Sequence, residues 1–168
     1  MTGRAEKPTG SARQKMGNRR RSRELAMQAL FQIEMNQNHS MEDVELFCKH
    51  FRVSKHVKPF FLRLVEGVKE FQHDIDSLIV RFSENWKLSR MSRVDRNVIR
   101  IAVYELLHCD DIPPKVSINE AIDIGKRFGT EDSGAFINGI LDGVRISLEK
   151  ENRLHSKKSP DQVISPTT

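Results

Sequence analysis

Four arginines and a serine stand together as Arg19-Arg20-Arg21-Ser22-Arg23. A guanidinium is a planar fork of donors that stays charged and can grip two phosphate oxygens at once. The run opens a stretch of helical periodicity in which Ser22, Ala26, Ala29, Leu30 and Ile33 share one face. Cations at the start of a helix oppose its dipole, which favours anions there. A helix built for stability alone would carry acids at that end. The run therefore reads as a phosphate-binding group, with a solvated charge cluster as the competing reading.

Other residues that could do chemistry are not arranged for it. Six histidines are scattered without metal-ligand spacing. Cys48 and Cys109 lie in helical patterns with no nearby partner, as expected of two buried thiols in a reducing cytoplasm. Neither a phosphate-binding glycine loop nor a Gly-x-Ser-x-Gly turn is present. Asp132-Ser133 fits a helix cap better than a nucleophile. Glu105 and Glu120 could pair as acids, yet they read as a helix-surface group and a capping partner. No catalytic site, metal or cofactor is expected, so the chain is read as a non-enzyme.

The charge is unevenly placed. The 168 residues carry a net charge of +5. Residues 1–24 hold eight basic and two acidic groups, and the remainder holds 20 basic and 21 acidic. The whole cationic excess sits at the N-terminal end, which points to a polyanionic partner. No apolar run approaches the roughly 18 residues of a membrane span.

The elements that must position the run are all helical. Ser92 to Cys109 is the most apolar stretch, with Val94, Val98, Ile101, Ala102 and Leu106 at helical spacing and Ile99, Val103 and Leu107 beside them. Ser92 and Asp95 have capping-box spacing, and Pro113-Pro114 closes the segment at its other end. This segment is the expected central helix. The first helix is expected over about Asn18 to Asn36 and a second over Met41 to Phe51, boxed by Ser40 and Asp43. A third, capped by Ser54, contains Pro59 in its first turn. A fourth starts near Asp74 and buries Ile75, Leu78, Ile79, Phe82 and Trp86. Ser117 and Glu120 predict a capping box, with a Val116–Ala121 staple, for a helix ended by Gly129. The last helix runs from about Ser133 to Lys150, with Gly139 and Gly143 expected in close helix packing. No strand is expected. Residues 1–17 read as a disordered basic extension, 18–150 as one all-helical domain and 151–168 as a disordered tail.

Several blocks carry a resemblance. They are Arg19 to Glu24 followed by Leu25-Ala26-Met27-Gln28-Ala29-Leu30-Phe31-Gln32, then Val94-Asp95-Arg96, Ile99 to Leu106 and Asp111-Ile112-Pro113. Lys115 to Ala121, Lys126-Arg127-Phe128-Gly129 and Glu131-Asp132-Ser133 leading to Phe136-Ile137-Asn138-Gly139-Ile140-Leu141 complete the set. Over Arg19 to about Leu148 the chain resembles the NusB family of bacterial transcription antitermination factors. The resemblance implies an all-α domain of about seven helices in two packed bundles. It implies binding of boxA-type single-stranded RNA together with the ribosomal small-subunit protein NusE. That pair joins NusA, NusG and RNA polymerase and sustains transcription of ribosomal RNA operons, without catalysis.

Position by position, the resemblance assigns Arg19, Arg20, Arg21 and Arg23 to RNA contact. Phe136 matches an aromatic near the RNA, and Lys115 and Asn138 fall in the same blocks. Phe31, Asp95, Tyr104 and Asp132 fall where the family meets NusE or near that surface. The residues themselves leave alternatives: Phe136 as core or stacking surface, Tyr104 as partner contact or core, Asp95 as partner contact or helix cap. Trp86 reads as core. Gly134-Ala135 departs from the family, which commonly has a basic residue there, and the segment before Arg19 is longer than usual. The same fold resembles the N-terminal domain of a ribosomal RNA cytosine methyltransferase, a reading that needs a following glycine-rich cofactor domain. A purely structural bundle is a third reading, opposed by the arginine run. Four phosphate contacts predict a log–log salt slope near −3 for RNA binding, at about −0.7 each.

Overall fold

The computed structural model describes residues 10–37, 40–84 and 86–154. Among these it forms seven α-helices and no strand: α1 (Gly10–Asn36), α2 (Met41–His50), α3 (Lys58–Glu70), α4 (Gln72–Phe82), α5 (Arg93–His108), α6 (Pro114–Phe128) and α7 (Ser133–Lys150). A 3-10 turn, Leu88–Arg90, leads into α5.

α5 lies between two bundles. It packs on α1, α3 and α4 to one side and on α6 and α7 to the other. Its apolar stripes explain this, since Val98, Ile99, Ile101, Ala102, Val103 and Leu106 are all buried and a helix apolar on several sides must be covered on several sides. The Ser92 hydroxyl accepts the Asp95 amide at 3.0 Å, so the expected cap is formed. Fully buried Phe61 and Leu64 of α3, Ile75 and Ile79 of α4, and Ile137 and Leu141 of α7 complete the core. Each such side chain contributes roughly 1.5–3 kcal/mol.

Several expectations need correction. α1 begins at Gly10, not near Asn18; Ala12, Gln14, Lys15 and Met16 are good helix formers that prolong a helix already anchored by packing. Ser40 makes no side-chain cap; α2 instead has Glu42 and Asp43 in its first turn and Lys49 and His50 in its last, which suits the dipole. Ser54 holds the entry to α3 through its carbonyl, which accepts the Val57 and Lys58 amides at 3.0 and 2.9 Å. α6 starts one turn before the expected box, because Pro114 at N1 is pre-set for a helix and needs no donor. Ser117 therefore sits buried inside α6, and Val116 is exposed rather than stapled.

Of the two glycines in α7, only Gly143 is in close packing. A β-carbon there would lie 2.8 Å from Phe82 Cδ1, whereas one at Gly139 would meet nothing within 4 Å. Gly129 ends α6 with φ −96°, outside the left-handed region, and is needed for close approach, since a β-carbon would fall 2.3 Å from Ser133 Oγ. Beyond α7, Leu154 returns to the core with its amide on the Leu148 carbonyl at 3.2 Å, so the packed body extends past Lys150. Residues 1–9 and 155–168, which hold most of the two expected disordered segments, lie outside the described residues.

Candidate nucleic-acid interface

The arginine run projects around the third and fourth turns of α1, and successive side chains meet different neighbours. Arg19 Nη2 lies 2.5 Å from Asp111 Oδ2, with its guanidinium 5.2 Å from the Phe60 ring centroid. Arg63 holds the other Asp111 oxygen at 3.3 Å. Burial pushes the Asp111 carboxyl up, but the two guanidiniums outweigh it and hold the group below its ordinary value.

Arg20 grips Glu120 with both arms of its fork, at 2.9 and 2.8 Å, and reaches Asp123 at 3.0 Å. These acids on α6 raise its pKa further above its ordinary value. Arg21 contacts Glu24 at 3.3 Å. Arg20 and Arg21 keep side-chain exposures of 48% and 49%. Glu24 also holds Arg127 of α6 at 2.6 Å, and Arg127 is 65% exposed.

Arg23 behaves differently. It points across to α5, where Nε and Nη2 bond the Glu105 carboxylate at 3.0 and 2.7 Å, with side-chain exposures of 4% and 1% for the pair. Burial pushes the Glu105 carboxyl up and Arg23 opposes it. One expectation is corrected here: Glu105 is not a helix-surface group. Arg23, which the resemblance assigned to RNA contact, is buried, because it shares a face of α1 with buried Ala26, Met27 and Leu30 at i+3, i+4 and i+7. Ser22 faces inward too, donating to the Val57 carbonyl at 2.8 Å.

What remains is an edge where α1 meets α6. Arg20, Arg21, Arg127 and Lys126 are exposed along it, and Lys115 is exposed at the start of α6. The pairs of Arg20 with Glu120 and Asp123 are partly exposed and of the kind worth about 0–1 kcal/mol each, whereas Glu24 is itself buried. A phosphate can replace Glu120 or Asp123, since it offers the same paired oxygens to the same fork.

Further along, Phe136 is half-buried against the core, which joins both of its readings. Asn138 and Asp132 are exposed. Asp132 precedes α7 but makes no side-chain cap; the Ser133 hydroxyl instead accepts the Thr130 amide at 2.9 Å. Trp86 corrects its expectation as a core residue. α4 ends at Phe82, four residues short of it, and its side chain is 54% exposed. It stands 6.4 Å from the Phe136 ring, centroid to centroid, at an interplanar angle of 61°.

The residues expected to meet a protein partner do not form one patch. Tyr104 is buried, with its ring so close to Gly67 of α3 that a β-carbon there would lie 2.2 Å away. Its ring packs between α5 and α3. Asp95 lies nine positions earlier on α5, which a helix of 3.6 residues per turn places on the opposite side. Asp95 is buried, and its Oδ1 finds no hydrogen-bond partner among the described residues. Phe31 is half-buried on α1. Sequence reasoning missed Arg127 and Lys126 as members of the cationic edge, although both lie in a block it singled out. It also missed the acids that face the run. No group of acids, histidines and cysteines fit for a metal occurs among the described residues. Nor, among them, is any helix long and apolar enough to cross a membrane.

An all-helical body with a paired but accessible arginine edge, and an exposed tryptophan beside half-buried Phe136, defines a class: a helical domain that offers a cationic face of the kind that suits a polyanion. Within that class the profile of the NusB family matches residues 20–145. The chain belongs to the NusB family. It is 54% identical over 143 residues to the transcription antitermination protein NusB of Desulfatibacillum aliphaticivorans, covering 85% of this chain and 100% of that one. It is 49% identical to the protein of the same name from Myxococcus xanthus over 139 residues, covering 80% and 99%. Among solved structures it is similar to T. maritima NusB, with a TM-score of 0.70, 46% identity and coverage of 76% and 90%. A complex of the antitermination factors NusB and NusE with double-stranded RNA contains a chain of the same fold, with a TM-score of 0.72, 22% identity and coverage of 79% and 98%.

Proposed function

We propose that this protein is a transcription antitermination factor that binds boxA-type single-stranded RNA together with the ribosomal protein NusE. In that role it recruits NusA, NusG and RNA polymerase to ribosomal RNA transcripts and catalyses nothing. The observation that carries the reading is the half-exposed Arg20–Arg21 pair beside Arg127, on a chain whose relatives over their whole length are antitermination proteins. Those relatives favour it over the methyltransferase reading.

The ion pairs change how the RNA must bind. Phosphates displace Glu120 and Asp123 from Arg20, so association there is an exchange of anions, while Arg21 and Arg127 keep the buried Glu24 and meet phosphate with their exposed donors. With Arg23 buried and Arg19 only 26% exposed, three contacts remain: the more exposed Arg20, Arg21 and Arg127. They give a log–log salt slope of about −2 rather than −3. Asp95, with its unpaired buried oxygen, and the exposed Asp132 are the residues we assign to the ribosomal protein.

The test is an anisotropy titration of a labelled boxA oligoribonucleotide, with and without NusE, across a salt series. A tighter curve with NusE and a slope near −2 are expected. Arg20→Ala with Arg21→Ala should flatten the slope by about 1.4. A titration that stays flat with and without NusE would overturn the reading.

A further inference from the structure

Trp86 is the chain's single tryptophan, and the fold holds its backbone while leaving its ring in solvent. The buried Ser83 donates its hydroxyl to the Trp86 carbonyl at 2.9 Å and accepts the Trp86 amide on its own carbonyl at 2.8 Å. Glu84 between them takes a φ of 41°, in the left-handed region that costs an ordinary residue strain. A tight, strained turn thus presents a large flat apolar ring outward. Packing does not require this, since the ring remains 54% exposed.

Its neighbour Phe136 rests on the core and presents the edge-on partner. On the same face of α7, three residues further, comes Gly139. Glycine inside a helix is unfavourable relative to alanine, and here no close packing requires it, because the space above its backbone is open. The exposed Trp86 ring and half-buried Phe136 beside a bare helix surface leave room for a flat group to lie against the protein. Lys87 and Arg90 follow Trp86 in the chain and are exposed, as are the acids Glu84 before it and Asp132 one turn before Phe136, while Arg93 reaches toward Glu34 of α1. The site also continues the arginine edge. Arg127, which shares Glu24 with Arg21, lies in the last turn of α6, one short turn before α7 begins with Phe136 in its first turn.

We infer that Trp86, set beside Phe136 and the open backbone at Gly139, is a stacking site for a base of single-stranded RNA. This rests on the RNA-binding role proposed above. Stacking on an aromatic face is tolerant of base identity and independent of charge. The site therefore adds affinity without adding to the salt slope.

Because the tryptophan is unique, its emission reports on this site alone. A boxA oligoribonucleotide is titrated into the full chain while RNA anisotropy and tryptophan emission are read in parallel. Emission is expected to fall along the same curve as anisotropy rises. Trp86→Ala should weaken binding by roughly 5- to 150-fold, the effect of one stacked base, with an unchanged salt slope, and Trp86→Phe should restore most of it. Gly139→Gln fills the open space with Trp86 intact and should also weaken binding while the fold stays stable. If wild-type RNA binds but emission is constant and Trp86→Ala binds as tightly, the inference fails and the antitermination role stands. Loss of affinity for NusE alone would likewise overturn it, assigning the patch to protein. If wild-type anisotropy itself stays flat, both fall together.

Discussion

Arg23 and Glu105, 82 residues apart in sequence, meet as a closed ion pair between α1 and α5. The pair splits a run of four arginines into a structural member and three that remain at or near the surface. It also fixes the rotation of α1 on α5, and so decides which face of the run is presented to solvent.

Breaking this pair should cost stability, not RNA chemistry. Arg23→Ala leaves a buried carboxylate without its main partner and should lower unfolding free energy by about 3–5 kcal/mol. Arg23→Met combined with Glu105→Leu should recover most of that loss, since well-packed apolar groups often replace a buried pair without penalty. Urea denaturation measures both. RNA binding by the folded double variant should match wild type, and a large loss there would return Arg23 to the RNA surface.

The acids facing the run should restrain it. Glu120→Gln with Asp123→Asn frees Arg20 from its partners. Each surface pair is worth roughly 0.2–1 kcal/mol, so removing two should raise RNA affinity about two- to thirtyfold, and the salt slope should steepen. Unchanged affinity in a filter-binding or anisotropy series would show that these acids do not compete with phosphate.

Asp95 separates capping from recognition. The cap bond is donated by the Asp95 backbone amide to Ser92, so Asp95→Ala keeps it and loses only a favourable charge near the helix start, about 0.3–1 kcal/mol. Thermal unfolding should therefore shift little. Calorimetric titration with NusE should show weaker binding, and full affinity would remove Asp95 from the partner surface.

Glu34 should confer an acid limit. Burial pushes its carboxyl up, but hydrogen bonds and charge from Arg96 and Arg100 outweigh this and hold it below its ordinary 4.5. Arg100 also bonds Asp76 at 2.7 and 2.9 Å. A group whose folded value is depressed stabilises the fold above its unfolded value, and that contribution is lost as pH falls through the folded one. Glu34→Gln should thus be less stable than wild type at pH 7, with the gap narrowing as pH drops below about 4.5. Denaturant midpoints across pH 3–7 read the gap directly.

Much of this molecule was legible along the chain, because its cues are local. Apolar residues at i, i+3 and i+4 mark α3 to α7, Ser92 marks the cap of α5, and the proline pair marks the boundary before α6. The motif blocks pointed to the family and to the arginines without any coordinates. Tertiary structure decided the rest. Periodicity says which face of a helix is apolar, but not what stands opposite it. Arg23 could be recognised as structural only once α5 placed Glu105 against it, and the acids near Arg20 only once α6 lay beside α1. Trp86 continued a helical pattern on paper, but the helix ended at Phe82 and the turn at Ser83 swung the ring outward. Charges and rings take their roles from neighbours distant in sequence, and packing alone chooses those neighbours.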